Sequence, residues 1–399
     1  MLIAGARVFT KEHRFQKLDI EIAEDKIASL RDSEGAKDVK DNSLVGVILE
    51  GIKSFADGEI LDASRLYAIP GLVDIHFHGA VGHDFCDADM EGLSAISAYE
   101  AQNGVLAICP ATMTYSEEIL EKVMTTAREY ASGEAYEEQA QLVGINMEGP
   151  FISPDKIGAQ NPKYLAKPDV AMFRRLQEKS GNLIRLLDIA PEIEGSSDFI
   201  KELSHEVNIS IAHTACTYEE AVTAFDEGAR HVTHLFNAMP GINHRKPGPI
   251  PAAMEKNAEV EMIADGIHVH PAMVRFVFET MPDGKVILIS DSMEATGLPD
   301  GIYQLGGQSV TVCGQKAVLT DDPGTIAGSV TNLFQCMKNA INMGVNKEAA
   351  IMAASENAAR AIGVGDKYGC IEAGFFANIL LVDENMNLKH VINRGKVLF

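Results

Sequence analysis

The chain has 399 residues, too many for one small domain and enough for a large barrel with an accessory domain. Hydrophobic residues make up 46%, and 57 acidic residues against 34 basic ones give a formal charge of -23. That balance, with no Lys/Arg cluster, excludes a nucleic-acid binder, which needs a basic face. No apolar run reaches the ~18 residues of a membrane span, so no membrane partner is expected. The N-terminal stretch "MLIAGARVFTKEHRF" lacks a signal-peptide apolar region. Cys86, Cys109, Cys216, Cys313, Cys336 and Cys370 are scattered, with no CxxC pair, and read as reduced thiols. A cytoplasmic location is the expectation.

The chain opens on short strand-like runs, "MLIAGARVFT", "DIEIAEDKIASL", "VGVILEG" and "EILDAS", separated by Gly-, Asp- and Lys-rich turns. The segment from Arg31 to Lys53 is less regular and reads as a loop or an extra hairpin. The C-terminal stretch "GCIEAGFFANILLVDENMNLKHVINRGKVLF" has the same texture. Both ends are therefore expected to form one small β-sandwich domain, residues 1–66 with 367–399.

Between them, residues 67–366 alternate apolar runs with helical stretches. The strand candidates are "AIPGLVDIHFH", "GVLAICPAT", "LVGINMEGP", "LIRLLDIAPE", "NISIAHTA", "HVTHLFNAM", "VEMIADGIH" and "VILISDS". "MEGLSAISAYEAQN", "SEEILEKVMTTAREYAS" and "TYEEAVTAFDEGA" read as helices between them. Eight strands, each followed by a helix, predict an α/β fold of the (β/α)8 TIM-barrel type. A hairpin-like insertion, "YQLGGQSVTVCGQKAVLT", and two helices follow. In the first, "SVTNLFQCMKNAI", Val330, Leu333, Phe334, Met337 and Ile341 fall at helical spacing and predict a packing face.

Chemistry in such a barrel sits at the C-terminal ends of the strands. Strand one offers His76 and His78 there, which face one way because residues two apart on a strand share a face. Strand three offers Glu148, strand five His213, strand six His234 and strand eight Asp291. A single buried histidine is more often a satisfied core residue than a ligand, and HxH alone is a weak motif. Four histidines and two carboxylates on one rim are harder to explain by packing. Such a donor set suits zinc, iron, manganese or cobalt. A divalent ion lowers the pKa of water to ~7, and Asp291 could carry a proton to a leaving group, which is hydrolysis of an amide or ester. Asp291 could equally cap the helix that "SDSMEATG" begins. His231 starts strand six and reads as structural. His205, in a helix, and His13 read as solvated. His83, in the loop after strand one, fits either reading.

The motifs "PGLVDIHFHG", "NMEGPFISPDKIGAQNP", "IAHTACT", "VTHLFNAMPGINHRKPG", "IADGIHVHP", "SDSMEATG" and "TIAGS" together resemble the amidohydrolase superfamily, and within it the amino-sugar-phosphate deacetylases. The resemblance covers nearly the whole chain and implies a barrel with a β-sandwich. It implies hydrolysis of the acetamide of N-acetylglucosamine 6-phosphate. The alternatives are its galactosamine epimer or another acylamino sugar phosphate, and, more distantly, a non-catalytic assembly protein. Glu148, His213 and His234 match the shared metal ligands, and Asp291 matches the acid/base. Asn237 and Ala238 match sugar-phosphate contacts, and Arg245 and His268 match the phosphate site. A neighbouring subunit can donate part of that site, so a homodimer is implied. Ile326, Ala327 and Gly328 match a loop against the sugar ring, and Ala159 and Gln160 match another substrate-contacting pair. Some members lack the HxH and bind one ion, so His76 and His78 make a second ion plausible here. Some members carry a histidine at position 160, where this chain has Gln160. Strand four, "LIRLLDIAPE", has no lysine to bridge two metals, which argues against a dihydroorotase or hydantoinase and leaves Glu148 as the bridge.

Overall fold

The computed structural model describes residues 1–33, 59–133 and 138–399. The expected strand "VGVILEG" and most of the 31–53 segment lie outside the described residues. The chain divides into two compact units: Met1–Gly71 with Cys370–Phe399, and Leu72–Gly369.

The first unit holds one mixed eight-stranded sheet drawn from both ends of the chain. The N-terminal hairpin of Phe15–Ala23 and Lys26–Asp32 turns at Glu24–Asp25, so "DIEIAEDKIASL" is two strands and not one. Leu2–Phe9 pairs with Phe15–Ala23, and Tyr67–Pro70 pairs antiparallel with Ile379–Val382. Alternate residues such as Ile20, Ile22 and Ile27 turn inward with Ile379, Leu381 and Ile392 to make one apolar cluster.

The second unit is α/β. Leu72–Asp74, Val105–Ile108 and Gln141–Leu142 form a parallel sheet. Ile145–Met147, Ile184–Ile189, Asn208–Ile211, His231–Val232, Glu259–Ile263 and Val286–Ile289 form a second, all in parallel register. A parallel bridge between Ala111 and Asn146 links the two sheets. Backbone hydrogen bonds from Asp291 N–H to His76 O and from His78 N–H to Ser292 O link the last strand's exit to the first's. Val105–Ile108 and Val286–Ile289 are apolar and buried throughout, as strands of a parallel sheet covered on both faces are.

Three sequence expectations shift in detail. "AIPGLVDIHFH" is not one strand: Gly71 separates Tyr67–Pro70, in the terminal sheet, from Leu72–Asp74. Asn332 caps the helix Leu333–Asn342 by accepting from Gln335 N–H, so Val330 precedes that helix and packs elsewhere. His205 lies in the turn after Ser196–Leu203, exposed.

The insertion after Val286–Ile289 is a three-stranded antiparallel sheet, Gly301–Leu305, Gln308–Cys313 and Lys316–Leu319. Its inner face packs on Met113, Met293 and Ala327.

Candidate active site

Each expected rim residue follows closely on a parallel strand. Glu148 is one residue beyond Ile145–Met147. His213, His234 and Asp291 are each two residues beyond their strands. All three take left-handed backbone angles, φ 41°, 29° and 49°. Non-glycine residues held there cost about 1–3 kcal/mol each and persist where the surroundings over-determine them. His76 and His78 follow Leu72–Asp74.

These residues converge on Glu148. Its Oε1 lies 2.8 Å from His213 Nε2 and 3.3 Å from His234 Nε2. Its Oε2 lies 3.4 Å from His76 Nε2 and 3.3 Å from His78 Nε2. Asp291 Oδ1 is 3.4 Å from His78 Nε2 and 3.8 Å from His76 Nε2. All six side chains are buried. Two groups, His76–His78–Glu148 and Glu148–His213–His234, thus share one carboxylate, each with ligand atoms within 4.8 Å of one another.

The donor set fits a cation. His213 Nε2 and His234 Nε2 point at each other across 3.2 Å. His76 Nε2 and Glu148 Oε2 are buried without a hydrogen-bond partner among the described residues. Ligands of a tetrahedral ion bound at ~2.1 Å stand about 3.4 Å apart, close to the spacings found here. The electrostatics agree. Burial alone would push the Glu148 carboxyl up, but the surrounding histidines outweigh it and hold it well below the ordinary range. Burial opposes a charge on His76, yet Glu261 and Glu148 raise its pKa well above the usual value. Asp291, also buried, is held below the ordinary range by His78 and its neighbours.

A cavity of about 300 Å³ opens over this cluster. Glu148, His213, His234 and Asp291 form its floor, and Ala159, Gln160, Asn237, Ala238, His268, Ile326 and Gly328 line its walls. Gln160 is committed to its own wall: its Oε1 accepts Thr114 N–H at 2.7 Å and its Nε2 faces Met113 Sδ. Asn237 Nδ2 donates to His234 O at 3.1 Å. His268 Nδ1 pairs with Asp265 Oδ2 at 2.6 Å; burial works against its charge, but Asp265 raises its pKa.

Two expected residues stay off this wall. Ala327 packs under the three-stranded sheet. Arg245 is exposed, its guanidinium 2.8 Å from His244 Nε2. A larger cavity of about 810 Å³ lies at the other ends of the strands, among Arg185, Asn208, Arg230 and Glu259, far from the convergent donors.

Sequence reasoning missed several buried acids. Glu261 and Asp188 point in from strands, Asp74 accepts from His76 N–H and Ser290 Oγ, and Asp265 orients His268. The signal was available: a carboxylate inside an apolar run, as in "VEMI" or "GLVDI", must have a partner. His231, read as structural, is buried with its Nδ1 3.0 Å from Ser210 Oγ, and burial lowers its pKa.

A model of the amidohydrolase family matches residues 67–398. The N-acetylglucosamine-6-phosphate deacetylase of Bacillus subtilis (strain 168) is 36% identical over 367 residues, 90% of this chain and 92% of the relative. The N-acetylgalactosamine-6-phosphate deacetylase of Escherichia coli O157:H7 is 31% identical over 335 residues, 82% of this chain and 86% of the relative. Among solved structures, a variant of the Mycobacterium smegmatis N-acetyl-D-glucosamine-6-phosphate deacetylase, in complex with N-acetyl-D-glucosamine-6-phosphate, superposes with TM-score 0.87 at 30% identity, covering 100% of this chain and 98% of that one. The Thermotoga maritima N-acetylglucosamine-6-phosphate deacetylase gives TM-score 0.84 at 27% identity, covering 100% and 99%. With its metal-ready rim and this match over most of its length, the chain belongs to the amidohydrolase family.

Proposed function

We propose that this protein is a metal-dependent deacetylase that hydrolyses the acetamide of N-acetylglucosamine 6-phosphate to glucosamine 6-phosphate and acetate. The observation that carries the reading is Glu148, buried, with each carboxylate oxygen facing its own pair of histidines and Asp291 beside them. The relatives at 36% and 31% identity add the substrate class.

The mechanism follows from the side chains. Glu148, His213 and His234 would hold one divalent ion of the zinc, iron, manganese or cobalt class, and Glu148, His76 and His78 a second. Such an ion supplies a Lewis acid for the amide carbonyl and lowers the pKa of water towards ~7. Asp291, kept ionised by His78 and its neighbours, takes the proton from the attacking water and returns it to the leaving amine nitrogen. Ala159 and Gln160 wall one side of the substrate. Gln160's amide is held by Thr114 and Met113, so it does not replace the histidine that some relatives carry at 160, and an ion held by Glu148, His76 and His78 would supply the carbonyl polarisation instead. Asn237, Ala238 and His268 face the sugar phosphate, and the Ile326–Gly328 segment faces the ring. Arg245, too exposed to serve its own cavity, reaches the phosphate of the neighbouring subunit in a homodimer.

The parallel strands close as a (β/α)8 barrel over about residues 67–366, and the terminal segments 1–66 and 367–399 complete a β-sandwich. The hydrogen bonds joining the exits of the first and last strands support the closure. A cytoplasmic location fits the thiols of Cys86, Cys109, Cys216, Cys313 and Cys336, which form no disulfide, and no described helix is long and apolar enough to cross a membrane.

A second reading, the galactosamine epimer as substrate, is favoured by the 31% identical relative. Acetate release measured side by side on the two epimeric 6-phosphates separates them. The glucosamine epimer is expected to give the higher kcat/KM, and the reverse order would move the assignment to the second reading.

A further inference from the structure

Glu261 lies mid-strand in Glu259–Ile263 and is completely buried. Its Oε2 sits 2.9 Å from His76 Nδ1 and accepts His234 N–H at 3.1 Å. One oxygen therefore holds a histidine from each of the two candidate ligand groups, a ring in the first and a main chain in the second. At His234, where φ is 29°, it supplies a partner for a buried N–H.

The ring contact fixes a tautomer. A carboxylate oxygen is an acceptor, so an unprotonated Nδ1 at 2.9 Å would oppose two lone pairs. Nδ1 therefore carries a proton, which leaves Nε2, 3.4 Å from Glu148 Oε2, as the nitrogen the ring can offer to an ion. Asn146 Nδ2, 3.4 Å from the same Nδ1, is a poorer partner than the carboxylate. Of the other three rings, His213 is anchored from behind by Lys156 O at 2.9 Å, whereas His78 Nδ1 and His234 Nδ1 have no hydrogen-bond partner among the described residues. Each group thus has one ring locked through its rear nitrogen, and at His76 the lock is a carboxylate.

We infer that Glu261 is the positioning residue of this centre: it turns His76 Nε2 towards the metal and ties the two ligand groups to one another. The inference rests on the metal-dependent reading above. Carboxylate partners of metal-binding histidines typically contribute 10–100-fold to metal affinity.

The test is a cobalt titration of chelator-stripped full-length protein, followed by calorimetry and visible absorption. The metal-free thermal midpoint is recorded alongside. Glu261→Ala is expected to bind one of two cobalt ions about 10–100-fold more weakly. Glu261→Gln, which keeps an oxygen acceptor, is expected to recover part of the loss. A Glu261→Ala protein with a lower midpoint but wild-type cobalt affinity for both ions overturns the inference and leaves the deacetylase reading standing. Wild-type protein that takes up no cobalt overturns both. Should the alanine variant not fold, the ring proton of His76 in zinc-loaded wild-type protein decides by nitrogen NMR: Nδ1–H is expected, and Nε2–H overturns the positioning role.

Discussion

Asp291 is buried beside His76 and His78, and its pKa is held below the carboxylate range. Such a group is ionised and aimed, which a proton carrier needs. Asp291→Asn should fold and keep its metal while kcat falls about 10²–10⁴-fold; acetate release with elemental analysis of the same sample checks both halves. His268 makes a pH-dependent contribution through Asp265. Burial opposes both charges, but each partner outweighs it, raising His268 and lowering Asp265. The raised histidine stabilises fully below its unfolded pKa of ~6.5, and that part fades as pH rises through the folded value. The depressed aspartate stabilises above ~3.9, and that part fades as pH falls through its own folded value. His268→Gln should therefore cost about 1.5–3 kcal/mol at pH 6 and less at pH 9, read from denaturant unfolding. An equal cost at both pH values would remove the ion pair from the account. Glu148 and the rim histidines were legible in the sequence because polar residues ended apolar runs. Glu261 was not read, because a strand interior says nothing of which neighbour its carboxylate meets.

At the scale of elements, the three-stranded sheet holds both walls of the cavity. Gln308 Nε2 donates to Ala159 O at 2.6 Å, and Ile326 bridges to Val318 while Ala327 N–H bonds Ala317 O. An insertion that reads as hairpin-like thus fixes two segments matched to substrate contact. Gln308→Ala removes one such tie. It should lower kcat/KM about 2–10-fold, on the scale of one hydrogen bond, mainly through KM, with at most a small drop in the thermal midpoint. Wild-type kinetics would show that the wall stands without it. The parallel strands and their helices were legible because apolar runs and helical spacing are local. The break at Gly71 and the early cap at Asn332 were not, since the first depends on a partner strand at Ile379–Val382 and the second on one side-chain bond.

At the scale of the whole molecule, the dianionic sugar phosphate proposed as substrate would have to approach a chain of charge -23. On the expected phosphate side the cavity presents His268, whose pKa Asp265 raises against the effect of burial, and Arg245 stands exposed outside it. Arg245→Ala should reduce kcat/KM on the phosphorylated sugar about 10–1000-fold, with little change on the unphosphorylated one. Mixing Arg245→Ala with Asp291→Asn subunits should restore activity if the arginine serves its neighbour; equal losses on both sugars would assign it to the fold or the dimer. The central claim, hydrolysis at a metal held by Glu148 and its histidines, is tested most directly on one preparation. Acetate release from N-acetylglucosamine 6-phosphate is measured before stripping with a chelator, after stripping, and after reloading, with metal counted at each stage. The account predicts that turnover disappears with the metal, returns with it, and does not return in Glu148→Gln. Undiminished turnover in protein shown to be metal-free would contradict it.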